Sequence, residues 1–419
     1  MKIAVIGAGI IGVTTAYELG RDGHQVTVFE RRGAAAEETS FANAGIIAPG
    51  YVTPWAAPGM PGKVMQQLLR RHASVRIGLP LSMQELAWMW RWYRACRLDI
   101  YLANRARLRR LAFYSRARLH AIRSHLRLDY EHSDGYLVLL RTGHDRKLAE
   151  PGLQVLSEAG VVFKLLDPDQ ARTVEPALSP DTAFAGAIQL PDDEVGNCRQ
   201  FALMLKNEAQ RSGVQFRFNT SVARVETFNT KGIAVCVDST RPVQPFDAVV
   251  VCAGLSSAEL LRPLGLRIPL AAVYGYSLSA AIREPLNAPR SAVMDEHYKV
   301  AITRLGQRIR IAGSAELGGR ADKKRAGSIQ TLYKVLHDWF PGAANRASGV
   351  QEWKGARPML PDGPPIVGAS GIAGLWLNLG HGSSGWALAC GSARALGDRI
   401  LGHEPEVDMQ GFDLGRLKS

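Results

Sequence analysis

The chain has 419 residues, 46% of them apolar, which is enough for two domains or one elaborated domain around a sizeable core. Glycines and arginines interrupt every apolar run before about 18 residues, which excludes a membrane-spanning helix. Five scattered cysteines, without CxxC or paired-histidine spacing, read as reduced thiols, with neither a structural metal nor a disulfide. The net charge of +13 is unevenly placed and raises anionic partners; no RNA-binding motif accompanies it, so nucleic acid is not expected.

Residues 2–30 predict strand, glycine turn, helix and second strand. Ile3, Val5 and Ile6 form a short apolar run, and Gly7, Gly9 and Gly12 follow with GxGxxG spacing. Gly7 permits the turn, Gly9 lets a pyrophosphate approach the backbone, and Gly12 lets helix and strand pack closely. Ala16 and Leu19 lie on the helix face, and Val26, Val28 and Phe29 make the next strand. Glu30 closes that strand 18 residues after Gly12, where a carboxylate can take the hydroxyls of an adenosine ribose. The unit predicts a bound dinucleotide. Because the chain opens on this strand, no signal peptide is expected and the setting is read as cytoplasmic.

Thr39 to Pro49 is a polar turn leading into an apolar one, and a Pro/Gly-rich stretch runs from Pro49 to Pro61. From Arg91 to Arg127 there are eleven arginines and one acid, Asp99, on a helix-like pattern of leucines just after Trp88, Trp90 and Trp92. Such a segment suits an anionic membrane surface. It equally suits a solvated face or a subunit contact. Strands are predicted near 130–140, 184–190, 214–218, 222–225, 233–237 and 247–252, with a helix over 199–211. Residues 267–314 alternate as an antiparallel sheet would.

Ala253-Gly254 ends the run 248–252, at the carboxyl end of a strand where ligands of doubly wound sheets lie. Residues 374–386 predict a strand, the turn Gly380-His381-Gly382-Ser383-Ser384-Gly385, and a helix to about Ile400. A second glycine-rich helix start offers a second bundle of N–H donors. One helix start can hold a pyrophosphate; the other can face the negative charge of a reduced flavin. Two such starts favour FAD over NAD. His381 reads as a turn histidine without a proton role.

Stretches along the whole chain resemble the D-amino acid oxidase/glycine oxidase superfamily of FAD enzymes, and within it the bacterial D-amino acid dehydrogenases of small-subunit type. They are GAGIIG (7–12), ETSFANAGIIAPGYVTPWAAPG (38–59), LPDDEVGNC (190–198), GVQFRFNT (213–220), DEHYKVAITR (295–304), GARPMLPDGPPIVG (355–368) and LNLGHGSSGWALACGS (377–392). Two stretches depart: Ser383-Ser384 stand where a Thr-Leu pair is common, and Leu255-Ser256-Ser257 look more like an ordinary oxidase.

The resemblance implies an α/β fold, a Rossmann-like FAD-binding domain with an inserted α+β substrate domain containing an antiparallel sheet. The FAD domain is expected at 1–50, 196–258 and 350–419, and the substrate domain at 51–195 and 259–349. FAD is expected to be non-covalent. Its contacts are expected at Gly7, Gly9, Ile10, Ile11, Gly12, Glu30, Arg31, Ser40, Asn43, Ala44, Gly45, Ile46, Val222, Ala253, Gly254, Gly380, Gly382, Ser383, Ser384 and Gly385. The arginine of the G-x-R-P motif, Arg357, would clamp the substrate carboxylate, since a guanidinium makes a planar two-point contact with it. Tyr298 would donate its hydroxyl to the same carboxylate. Tyr274, Tyr276, Tyr51 and His381 are candidates for the substrate pocket. The implied activity is oxidative deamination of D-amino acids, with electrons passing to a quinone or another respiratory acceptor, at the cytoplasmic face of the inner membrane if the basic segment docks there. The alternative is an oxidase of glycine, sarcosine or D-proline that uses oxygen.

Overall fold

Lys2–Ile6 is the central strand of a six-stranded sheet, and its alternation shows why. Ile3 and Val5 face one layer, and Ala4 and Ile6 face the other. Both faces are covered, so positions 3–6 are all apolar, as a doubly wound sheet demands. Lys2–Ile6, Gln25–Phe29, Gln215–Arg217, Ala248–Val251 and Leu375–Leu379 run parallel; only the edge strand Ile366–Ala369 is antiparallel. In this computed structural model all residues are described except 68–71, 229–231, 238–241, 348 and 418–419.

The helices Ile10–Arg21, Cys198–Arg211 and Gly385–Ile400 pack on one face. The other face carries a small antiparallel sheet of Arg224–Phe228, Gly232–Cys236 and Gln244–Phe246. The 29-residue helix Leu98–Leu126 belongs to the first helical layer: Leu108, Leu111, Leu119 and Ile122 are buried there. It crosses Gly385–Ile400 closely, since a Cβ at Gly391 would lie 2.8 Å from Ser115 Cα.

A second, larger sheet holds, in order, Gln351–Met359, Ala271–Ala281, Arg308–Gly318, Val300–Leu305, Ala292–Asp295, Ser133–Leu140, Gly186–Val195 and Ile46–Ile47. Most of its pairings are antiparallel. Helix Ala326–Trp339 packs one face around Leu332, Val335 and Trp339.

The mixed α/β architecture follows the sequence expectation. Gln351–Met359 and Ile46–Ile47 hydrogen-bond into the large sheet, although their sequence positions fall in segments assigned to the FAD domain. Conversely, the arginine-rich helix, assigned to the substrate domain, packs with the FAD-side helices. Sheet pairing is long-range, and local pattern cannot assign it.

Candidate active site

The glycine turn after Lys2–Ile6 is sterically compelled. Gly7 has φ +102°, and a Cβ there would stand 2.7 Å from Cys252 O. A Cβ at Gly12 would stand 1.9 Å from Gly7 O, so its role is helix–strand packing and it does not reach the cavity. Helix Ile10–Arg21 therefore starts against the strand end, with Gly9 as its N-cap. The Ile10 N–H is taken by Ser40 Oγ at 3.1 Å.

A cavity of about 310 Å³ opens along this turn. Gly7, Gly9, Ile10, Ile11, Glu30, Arg31, Ser40, Asn43, Val222, Ala253, Gly254, Gly380, Gly382 and Gly385 all line it, as expected for FAD contacts. The Glu30 carboxylate is fixed by the Ala8 and Arg32 N–H groups at 2.7 and 2.8 Å. Arg31 pairs with Glu38, and its Nη1 donates to Ser256 Oγ.

A second cavity, of about 400 Å³, lies against the large sheet. Ala44, Ile46, Ser383 and Ser384 line this one instead of the first. Gly45 lines neither; its carbonyl accepts from Trp386 Nε1 at 3.2 Å, and its φ of +86° leaves no room for a Cβ. Thr39, Asn43, Gly382 and Trp386 are common to both walls. The expected flavin contacts thus bring together one continuous site, with the second glycine turn at its waist.

The residues fit FAD. The Rossmann turn accepts a pyrophosphate, a fixed carboxylate stands at the end of the second strand for a ribose, and the helix start at Gly385 borders both cavities' shared wall.

Arg357 lines the second cavity on strand Gln351–Met359. Its Nη1 donates to Ser314 O at 3.0 Å. No carboxylate of the described residues pairs with it, and burial pulls its pKa down to about 10. A half-buried cation held by one carbonyl and open to a cavity is poised for an anion. Small residues of the large sheet make the space: Gly275, Gly355, Gly313, Ala312 and Ala301 all line it.

The other tyrosine candidates divide. Tyr51 lines the second cavity. Tyr276 does too, but its hydroxyl is engaged by Glu316 and the Arg325 N–H. Tyr274 does not; the Lys354 ammonium lies 4.2 Å from its ring centroid. Tyr298 does not either. It packs on the opposite face of the sheet, with Arg141 and Lys334 over its ring at 5.0 and 5.6 Å. Its place in the chain is the reason: Tyr298 stands in the turn 296–299, where Lys299 has φ +53°, and Glu296 and Lys299 line the cavity while the Tyr298 ring joins the core of Val300 and Ile302. His381 lines the first cavity, away from the substrate side, and its Nε2 meets Ser392 Oγ at 3.1 Å. Burial pulls its pKa down to about 3, so it stands neutral.

Tyr136, Met294, Glu296, Lys299 and Trp353 also line the second cavity, and sequence reasoning did not find them. They come from three strands and a turn whose adjacency is set by sheet order alone.

Most of the arginine-rich helix is not a free basic face. Arg107 Nη1 donates to Asn104 Oδ1 at 2.7 Å, Arg109 reaches Val155 O, Arg110 pairs with Asp408 and Arg118 pairs with Glu18. Trp88 and Trp92 are buried, which removes them as surface anchors; Trp90 is exposed. No described helix is long and apolar enough to cross a membrane.

Residues 2–399 match the family of FAD dependent oxidoreductases known as DAO. A D-amino acid dehydrogenase of Cereibacter sphaeroides is 44% identical over 99% of this chain and 94% of its own length. One of Bradyrhizobium diazoefficiens is 42% identical over 99% of both chains. The fold is similar to that of glycine oxidase from Geobacillus kaustophilus, with a TM-score of 0.76 and 22% identity over 99% of this chain and 98% of the other. Family model, relatives and fold agree with the cavities, and the chain is a member of the DAO family of FAD-dependent oxidoreductases.

Proposed function

We propose that this protein oxidises D-amino acids to imino acids, which water hydrolyses to 2-oxo acids and ammonia. Arg357 carries the reading: a half-buried guanidinium without a protein carboxylate, in a cavity that shares a wall with the FAD site. The name shared by relatives at 42–44% identity supports the D configuration.

The substrate carboxylate binds the Arg357 fork, with Ser314 O fixing one nitrogen of that fork. The buried wall excludes water and holds Cα toward Gly382 and Trp386. FAD supplies the acceptor for the hydride that leaves Cα. The amine enters neutral, so no protein base is assigned. Orientation is the protein's main contribution, worth up to about 7–11 kcal/mol in favourable cases.

The finer reading gives the electrons to a lipid-dissolved quinone, reached from an anionic membrane surface. Helix Met83–Ala95 and its flanks support it. Leu79, Met83, Trp90 and Leu98 are 61–80% exposed, with Arg91, Arg94 and Arg97 exposed among them. A basic apolar surface of this kind matches an anionic leaflet. Its buried side is bonded to the clamp strand through Trp88 Nε1 and Met359 O at 3.0 Å.

Anaerobic addition of D-alanine should bleach the flavin, and L-alanine should not. Bleaching by neither, with other D-amino acids also inert, overturns the reading. Stoichiometric peroxide in air would move it to an oxygen-using oxidase. Vesicles with anionic lipid should retain the protein at low salt and release it at high salt. Met83→Ser with Trp90→Ser should lose retention while dye-linked activity persists; full retention would remove the membrane surface.

A further inference from the structure

Arg357 occupies one end of the substrate cavity, on the first strand of the large sheet. Tyr136 lines the same cavity from Ser133–Leu140, five strands further across. Five strand spacings separate the two backbones, so Arg357 and Tyr136 enter the cavity from different parts of its wall. Tyr51 sits against Tyr136, ring to ring, with centroids 5.6 Å apart and planes at 83°.

These two phenols differ from the other tyrosines of the site. Tyr276 is bonded to Glu316. Among the described residues, neither Tyr51 nor Tyr136 has a hydrogen-bond partner for its hydroxyl, though Tyr136 is only 3% exposed. A phenol that lines a cavity and has no protein partner for its hydroxyl is free to donate to a ligand there. Both phenols also stay protonated. Burial first, and then the carboxylates of Glu296 and Asp193, push each pKa well above the usual phenol value; for Tyr136 the neighbouring Tyr51 adds to it. Each therefore carries a proton to donate.

Resting on the amino acid reading above, we propose that Tyr51 and Tyr136 form the side-chain end of the site and donate hydrogen bonds to a neutral acceptor on the substrate side chain. The class selected is D-amino acids with an amide or hydroxyl acceptor. An acidic side chain would meet Glu296, whose carboxylate lines the same cavity and is paired with Lys299. An apolar side chain of equal size would leave both phenols unpaired.

D-asparagine and D-leucine, nearly equal in shape, separate these outcomes. Their kcat/KM ratio would be measured by dye-linked assay on the flavin-loaded wild type, Tyr51→Phe, Tyr136→Phe and the double variant. Wild type should favour D-asparagine. Each phenylalanine should lower kcat/KM for D-asparagine roughly five- to tenfold, mostly in KM, and lower it far less for D-leucine. A general packing defect would lower both substrates together. Equal losses, or an unchanged ratio in both single variants, overturn the proposal. If Tyr136→Phe fails to hold flavin, Tyr51→Phe carries the test alone. Wild type inert toward every D-amino acid would instead sink the activity itself; turnover of D-alanine with an insensitive ratio sinks only the role of the two phenols.

Discussion

The guanidinium of Arg357 lies directly over Gly275 of the neighbouring strand: a Cβ at Gly275 would stand 2.3 Å from Nη2 and 2.6 Å from Cζ. The clamp is thus held by an absence of side chain on one side and by Ser314 O on the other. Arg357→Lys should keep FAD but raise KM for D-alanine steeply, since one arm of a charge-assisted fork is lost, about 1.5–3 kcal/mol. Gly275→Ala should also raise KM, by pushing the guanidinium out of place while leaving its charge. Steady-state kinetics with flavin content measured in parallel checks both. Wild-type KM in Arg357→Lys would remove this residue from carboxylate binding.

FAD should be releasable without breaking a covalent bond. Cys198, Cys252 and His381 all line the nucleotide cavity, so three residues of reactive type stand near it. Burial pushes each thiol up to about 12, which leaves almost no thiolate to attack with. His381 is turned toward Ser392. Acid precipitation should therefore leave yellow flavin in the supernatant. Colour fixed in the pellet would mean an attachment to one of these three.

The nucleotide half of the site was legible because its determinants are local. Gly7, Gly9 and Gly12 act within six residues, and Glu30 follows at the end of the next strand. The substrate half was legible only in part. Arg357 stands in a short motif and reaches the cavity, whereas Tyr298, in the turn 296–299, and Tyr274, set off from Tyr276 by a β-bulge, face elsewhere. Side-chain direction alternates along a strand, and a one-residue offset reverses it. Tyr136 carried no motif at all; it enters the cavity because Ser133–Leu140 pairs with Ala292–Asp295, 150 residues away in the chain. The arginine run misled for a related reason. Charge density is visible in sequence, but the partners Glu18, the Val155 carbonyl and Asp408 are brought to the helix by the fold.

One of those partnerships is a stability prediction. Glu18 is fully buried on helix Ile10–Arg21, with Arg118 Nη2 and Arg394 Nη1 each 2.9 Å from its carboxylate. Arg394 also holds Asp22 at 2.7 Å and Asp398 at 2.9 Å. It thereby ties Gly385–Ile400 to Ile10–Arg21, the two helices whose starts frame the FAD site. Arg394→Ala leaves buried carboxylates short of a counter-charge and should cost about 3–5 kcal/mol in denaturant unfolding. A loss below about 1 kcal/mol would mean that Arg118 alone suffices for Glu18.

Asp193 predicts a pH dependence of the opposite kind to most carboxylates. It is 2% exposed, its Oδ2 has no hydrogen-bond partner, and Arg116 Nη1 stands 3.5 Å from Oδ1. Burial pushes its pKa up to about 7, and Arg116 only partly offsets this. The folded value lies above the unfolded one of about 3.9, so the contribution to stability is full below that value and is lost as pH rises through 7. The adjacent Glu194 runs the other way. Burial raises it, but hydrogen bonds from His120 and His132 more than offset that and hold it down to about 2, so its contribution is present above about pH 4.3 and lost in acid. Asp193→Asn removes the charge that must be buried at alkaline pH. At pH 8.5 it should unfold at a temperature a few degrees above wild type, reflecting on the order of a few kcal/mol at most. At pH 5, where folded Asp193 is protonated and only the unfolded chain is ionised there, the difference should be well under half of that at pH 8.5. Thermal unfolding at both pH values decides it: an equal shift at each pH would show that Asp193 is not the group responsible.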